Sequence, residues 1–228
     1  MTQYAELNGV RIVSGSITVP FYGAWAADLM LATDAPISIA RMGCRVTLGT
    51  LVLVGTVYRS APFAGARAVR LVGGAGGWRN SVPMRAYFAS GGITLGTVLG
   101  DAAKDSGEVL SLSDDGLLSD HMTRPEGPGQ RLLRKLVSLW WIDPATGATR
   151  VASARPTAAI TSDFQVISWD AGRGEFSVAT EALQDWLPGN TFTSPNVATV
   201  QTIASSTFRV EASGTLRVDV LTTGAVAA

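Results

Sequence analysis

Through the first ninety residues the apolar side chains fall on a period of two. Ile17, Val19 and Phe21 share one face. Beyond Tyr22-Gly23, the residues Trp25, Ala27, Leu29 and Leu31 share a face again, while Ala26, Asp28 and Met30 point the other way. This alternation predicts strand, turn, strand, with Pro20 at an edge or a strand end. Val46, Leu48, Leu51 to Val54 and Val57 continue the pattern around Gly49 and Gly55. A strand over Arg67 to Val72 follows a loop at Ser60 to Gly65. Such β-branched and aromatic enrichment, punctuated by glycine, predicts a small twisted barrel or sandwich as an N-terminal domain over residues 1–92.

The period then changes. VRLVGGAGGWRNSV, from Val69 to Val82, leaves an apolar strand through Gly73, Gly74, Gly76 and Gly77 and reaches Trp78. After Gly91-Gly92, the residues Leu95, Val98, Leu99 and Ala102 stand at helical spacing. Thr94 is placed to cap that helix and Gly107 to stop it. Ser111 to Pro128 is polar and reads as a connecting loop, so residues 93–128 form a helix and a connection. A second helical pattern runs through Gln130, Leu132, Leu133, Leu136 and Val137. It leads into Leu139-Trp140-Trp141-Ile142, the turn Asp143 to Gly147, and a returning strand at Thr149 to Val151. The rest of a second β-rich domain, 129–228, has strands at Phe164 to Ile167, Phe176 to Val178, Val197 to Ile203, Thr207 to Glu211 and Leu216 to Leu221. Turns are expected at Pro188-Gly189-Asn190 and Ser213-Gly214. The small, uncharged tail from Thr222 reads as frayed.

Composition narrows the function classes. Lys+Arg and Asp+Glu number 18 each, which leaves no basic footprint for sequence-specific nucleic-acid binding and no polybasic segment for a membrane. Charged residues are 16% of the chain, against roughly 25% in ordinary soluble domains. So bland a surface points to coverage by other subunits. The one cysteine, Cys44, allows no intrachain disulfide and reads as a small buried hydrophobe. No secretion signal and no membrane span stand out, which implies synthesis in the cytoplasm.

The candidate chemistry is thin. The glycine cluster lacks the Lys-Ser/Thr that a phosphate loop needs, since Trp78-Arg79-Asn80 follows. It reads as a turn that needs positive φ and close backbone approach, with Trp78 capping a core. His121 is the only histidine; Asp120 beside it could orient a general base, but no nucleophile elbow is present. Asp114, Asp115, Asp163, Asp170, Glu175, Glu181 and Asp185 are the carboxylates a cell-wall hydrolase could draw on. Among the six tryptophans, Trp25 reads as core. Trp140 and Trp141 should split across a strand, the outer one burying at a subunit contact. Trp140 or Trp169 would carry the stacking platform of a carbohydrate-binding module. No metal site and no cofactor is expected.

Three stretches resemble baseplate hub proteins of tailed bacteriophages, of the late-control type related to the base of type VI secretion spikes. They are GVRIVSGSITVPFYGAWAADLML, RLVGGAGGWRNSVPMRAYFASGGITLGTVLGDAAKDSGE and DHMTRPEGPGQRLLRKLVSLWWIDPATGATRVASARP. The resemblance implies a mainly β chain of tail-tube-like β-barrel domains with two short helices. Leu187 to Leu221 is similar to the small barrel appended to such hubs. It also implies a homo-oligomeric ring, a trimer ahead of a hexamer, that closes the tail tube in the virion and meets tube, spike and fibre proteins. No catalytic residue carries over. Gly73, Gly74, Gly76, Gly77 and Trp78 would hold the turn, and Trp140, Trp141 and Pro144 the aromatic hairpin.

Overall fold

The structure, a computed structural model, describes residues 5–170, 172–195, 197–213 and 215–223. The first six strands are β1 (Ala5–Leu7), β2 (Val10–Pro20), β3 (Ala26–Leu31), β4 (Cys44–Leu48), β5 (Leu51–Phe63) and β6 (Ala66–Gly73). They pair antiparallel in the order β1-β4-β5-β6-β3-β2, and β1 also pairs with β2, so the barrel closes on itself. Alternation accounts for what is inside. Ile17, Val19, Trp25, Ala27, Leu29, Leu31, Val46, Leu48, Leu53 and Leu71 are all buried. Pro20 ends β2, where its missing N–H costs no ladder bond. Gly55 and Gly73 flank the Trp25 indole, and a Cβ on either would collide with it.

The expected loop at Ser60 to Gly65 is not there. β5 runs on to Phe63, and Ala64-Gly65, both at positive φ, form a two-residue turn into β6. Periodicity missed it because Tyr58 to Phe63 project past the barrel and are not sorted into buried and exposed faces.

The middle of the chain is more ordered than its polarity suggests. β7 (Ser81–Val82) and β8 (Arg85–Thr94) lead into α1 (Leu95–Ser106), then β9 (Leu110–Leu112), β10 (Leu117–Arg124), β11 (Gly127–Pro128) and α2 (Gly129–Leu136). β8 passes straight through Gly91-Gly92, which was expected to end a unit. β10, inside the expected loop, pairs with it along a bulged ribbon. Thr94 caps α1 by accepting from Thr97 N, and Gly107 stops it at φ 73. Val98, Leu99 and Ala102 bury the apolar stripe of the helix.

β12 (Trp140–Ile142) and β13 (Thr149–Val151) make the aromatic hairpin, and β9 adds to β13 in parallel. The remaining strands are β14 (Phe164–Asp170), β15 (Glu175–Thr180), β16 (Thr191–Ser194), β17 (Val197–Val210) and β18 (Leu216–Thr222). The two strands expected at Val197 to Ile203 and Thr207 to Glu211 are the single strand β17. It pairs with β2, so the barrel sheet continues as β2-β17-β18-β15-β14, while β16 folds back onto β17. Beneath it Phe164 meets Trp186 and Phe192 edge to face, Phe176 meets Phe192 edge to face, and Trp186 lies tilted against Phe192. Thr222 is not frayed: its hydroxyl donates to Gly174 O (3.2 Å) and bonds Gln201 Oε1 (3.0 Å). Gly214 and residues 224–228, the sites of an expected turn and tail, lie outside the described residues.

Candidate assembly surfaces

The glycine-rich turn is an anion cradle, and the chain supplies its own anion. Gly74 (φ 68) and Gly76 (φ 71) hold left-handed backbone between β6 and a 3₁₀ turn at Gly77–Arg79. Successive amides there converge on the buried Glu108 carboxylate, placed just after the Gly107 stop of α1. Glu108 Oε1 accepts from Gly77 N (2.5 Å) and Trp78 N (3.3 Å), and Oε2 accepts from Ala75 N (3.2 Å). Burial pushes the carboxyl above its ordinary pKa, opposed by these amides and by the charge of Arg41. Gly77 lies against the Ser106 carbonyl, with no room for a Cβ. Trp78 is buried and donates its indole N–H to Thr149 Oγ1 (2.6 Å), tying the turn to the aromatic hairpin. Glu108 escaped the sequence reading. Its one local sign is a lone carboxylate directly behind a helix-stopping glycine.

Trp140 and Trp141 do not split into inner and outer residues; both are buried, at 4% and 8% exposure. The barrel covers one side. Gly23 N donates to Trp140 O (2.8 Å), Ile142 N donates to Gly23 O (3.2 Å), and Tyr22 meets Trp140 edge-on at 5.6 Å. On the other side the Arg155 guanidinium lies 5.2 Å from the Trp141 ring and 5.8 Å from that of Phe21. Arg155 Nη1 donates to the carbonyls of Pro20 and Phe21. Its burial lowers the pKa to about 10, opposed by the charge of Asp143, so the group stays cationic at neutral pH. Pro144 O accepts from Val54 N (2.7 Å), which pins the hairpin turn to β5. Trp141, Pro144 and Arg155 also line a cleft of about 770 Å³.

The residues considered for catalysis are not gathered into one centre. His121 is exposed on β10 opposite Phe88, with Asp120 beside it. Asp170 and Glu175 face each other across β14 and β15, both exposed, and Asp170 is engaged by Arg173 at 3.7 Å. Among the described residues no group of three His, Cys, Asp or Glu could hold a metal ion. Trp169 is half-exposed beside a concavity of about 500 Å³ that Ser177, Arg209 and Asp219 also line. No helix is long and apolar enough to cross a membrane.

The face of the sheet turned away from the cores is polar, and Arg70, Arg209 and Arg217 each have a carboxylate partner on it. Thr18 and Thr207 share a hydrogen bond across β2 and β17 (3.1 Å). Arg209 pairs with Asp219, which also accepts from Ser177, and Arg217 stands 3.5 Å from Asp219. On the barrel side Arg70 faces Asp28 at 3.7 Å. The apolar exposure lies elsewhere. Phe88 and Leu117 are bare on the β8–β10 ribbon, Tyr58 and Phe63 on the β5 arm, and Ile167 and Trp169 on β14.

No family model and no curated protein matches the sequence. Solved structures do match. The tail protein from Neisseria meningitidis MC58 superposes with a TM-score of 0.67 at 14% identity, over 98% of this chain and 97% of that one. The 43 kDa tail protein of prophage MuSo2 from Shewanella oneidensis gives a TM-score of 0.69 at 14% identity, over 96% of each chain. The E. coli c3393 protein is described as a component of the type VI secretion system with structural similarity to the T4 tail proteins gp27 and gp5. It gives a TM-score of 0.66 at 10% identity, over 95% of this chain and 75% of that one. The mainly β architecture, with two helices and a closed six-stranded barrel, is therefore a fold that this chain shares with phage tail proteins.

Proposed function

We propose that the chain is a non-enzymatic structural subunit of a phage tail tip or baseplate. Assembled in the host cytoplasm, it forms a homo-oligomeric hub ring in the virion, a trimer ahead of a hexamer. The ring closes the tail tube and connects it to spike and fibres. The N-terminal barrel, the connecting region and the C-terminal β-rich region act as one frame in it. The Gly73–Trp78 turn and the Trp140–Trp141–Pro144 hairpin hold that frame together.

One observation carries this reading: the long antiparallel sheet has a polar face on which Arg70, Arg209 and Arg217 each have a carboxylate partner. Turned toward a channel, such a face gives a passing polyanion no run of cations to bind. The low charge of the remaining surface fits burial against other subunits. Native mass spectrometry and negative-stain imaging of the purified chain test it. The expected result is a trimeric or hexameric ring with an open centre; a monomer at every concentration overturns the reading.

A further inference from the structure

The sheet ends in two open edges, and they fit each other. The run β5-β6-β3-β2-β17-β18-β15-β14 is antiparallel at every step. In the barrel β4 covers only the first part of β5, Leu51 to Gly55. From Tyr58 to Phe63 the side of β5 away from β6 has no partner strand among the described residues, and neither has the far side of β14. Open edges of this kind take up further strands unless charge, proline or cover prevents it. β14 carries no lysine, arginine or proline. It exposes Ile167 at 57% and Trp169 at 49%, and the β5 arm exposes Tyr58 at 49% and Phe63 at 64%.

Resting on the ring reading above, we propose that adjacent copies join by antiparallel pairing of the β5 arm, Tyr58–Phe63, with β14 of the next copy, Arg59 meeting Asp170 and Glu175. Strand direction supports this. Seven antiparallel steps separate β5 from β14, so the two edges run in opposite senses. Copies related by rotation about a ring axis along the strands therefore present them to each other antiparallel, and the sheet continues across the junction without a break in its pattern.

Charge supports it as well. Arg59 makes no ion pair among the described residues; its guanidinium lies 5.4 Å from the Tyr58 ring. It stands opposite Arg70 on the polar face. At the other edge Asp170 and Glu175 are a like-charged cross-strand pair with one nearby cation, Arg173. Antiparallel approach sets Arg59, at the start of the arm, beside Asp170, at the end of β14. Pro62 removes a donor from the arm edge, which costs a pairing of two arms two ladder bonds and the pairing of one arm with β14 only one.

The test uses the full chain with Ala61→Cys and Ser168→Cys together. Both positions are exposed, and the native Cys44 is buried. A short bismaleimide, whose reach tolerates a slip of one residue pair, should link position 61 of one copy to 168 of the next. The double variant then gives covalent rings, while neither single variant is linked. Separately, Arg59→Glu sets three carboxylates together and should weaken association about tenfold on dilution, with the thermal transition of the subunit unchanged. Links from 61 to 61 or from 168 to 168, or a ring untouched by Arg59→Glu, overturn the pairing. If the wild-type ring forms without a 61–168 link, this inference fails and the ring reading stands. A wild type that never associates defeats both.

Discussion

The closed barrel and the sheet that extends from it are made of the same kind of strand, yet they handle their edges in opposite ways. In the barrel β1 bonds to both β4 and β2, so the ring of six closes and leaves only the β5 arm, Tyr58 to Phe63, unpaired on one side among the described residues. In the extension β14 pairs on one side only, and exposed Ile167 and Trp169 mark that free edge. The closed part of the barrel gains nothing from a partner, whereas the β5 arm and a sheet that stops short keep the means to pair. The interior of the two regions is otherwise alike: Trp25 fills one and Trp186 the other, both fully buried.

Truncating those two residues breaks the comparison most directly. Trp25→Ala and Trp186→Ala should each lower unfolding stability by about 3–5 kcal/mol, the usual cost of emptying a large aromatic site. Trp169→Ala, half-exposed on the open edge, should change subunit stability by less than about 0.5 kcal/mol while weakening association. Urea unfolding of the dilute chain gives the first quantity and sedimentation at high concentration the second. If Trp169→Ala costs as much as Trp186→Ala, the open edge is part of the core and the contrast is lost.

The same contrast explains what could be read in the sequence. Where a strand has one face in and one face out, as from Ile17 to Leu31, period-two alternation places it correctly. The caps at Thr94 and Gly107 are legible because they answer a purely local need of helix ends. The β5 arm and β10 were missed because polar or evenly exposed strands carry no alternation, and β16 because its four residues are too few to show one; pairing across the sheet defines all three. The split expected of Trp140 and Trp141 fails for a related reason. Their strand is covered on both sides, by Tyr22 and Gly23 on one and Arg155 on the other, and period two does not report on a strand without a solvent face. The Glu108 cradle depends on two segments that meet only in the fold, 31 residues apart for its Gly77 contact.

Glu108 provides the next test, on the barrel side of the comparison. Removing the carboxylate in Glu108→Ala strands the amides of Ala75, Gly77 and Trp78, for a loss of about 1–3 kcal/mol. Glu108→Gln keeps a carbonyl acceptor and loses the titration. The folded carboxyl has a raised pKa, first because burial disfavours its charged form. The fold therefore binds this proton more tightly than the unfolded chain does. The corresponding stability is complete below the unfolded carboxyl value, about 4.3, and is lost as pH rises through the higher folded value. Urea midpoints should thus show wild type losing ground to Glu108→Gln from about pH 4 upward. Parallel curves would mean that the Glu108 carboxyl has the same pKa in the folded and the unfolded chain.

The smallest effects lie in the ion pairs of the polar face, and they sharpen the contrast from the other direction. On the extension Asp219 is a hub: it takes Arg209 and Ser177 at hydrogen-bond range and Arg217 at 3.5 Å, and its side chain is 26% exposed. On the barrel Asp28 meets Arg70 at 3.7 Å with both side chains more than half exposed. Solvent screens the second pair almost completely, while the first is a partly sheltered network. Asp219→Asn should cost about 0.5–1 kcal/mol in low salt and less at high ionic strength, whereas Asp28→Asn should leave the urea midpoint where it was. Equal costs at the two positions would mean that the charges serve the stability of the subunit in the same way in both regions. Unequal costs, with Asp28 silent, would mean that the barrel-side pair balances charge on the shared face without contributing to the stability of the subunit.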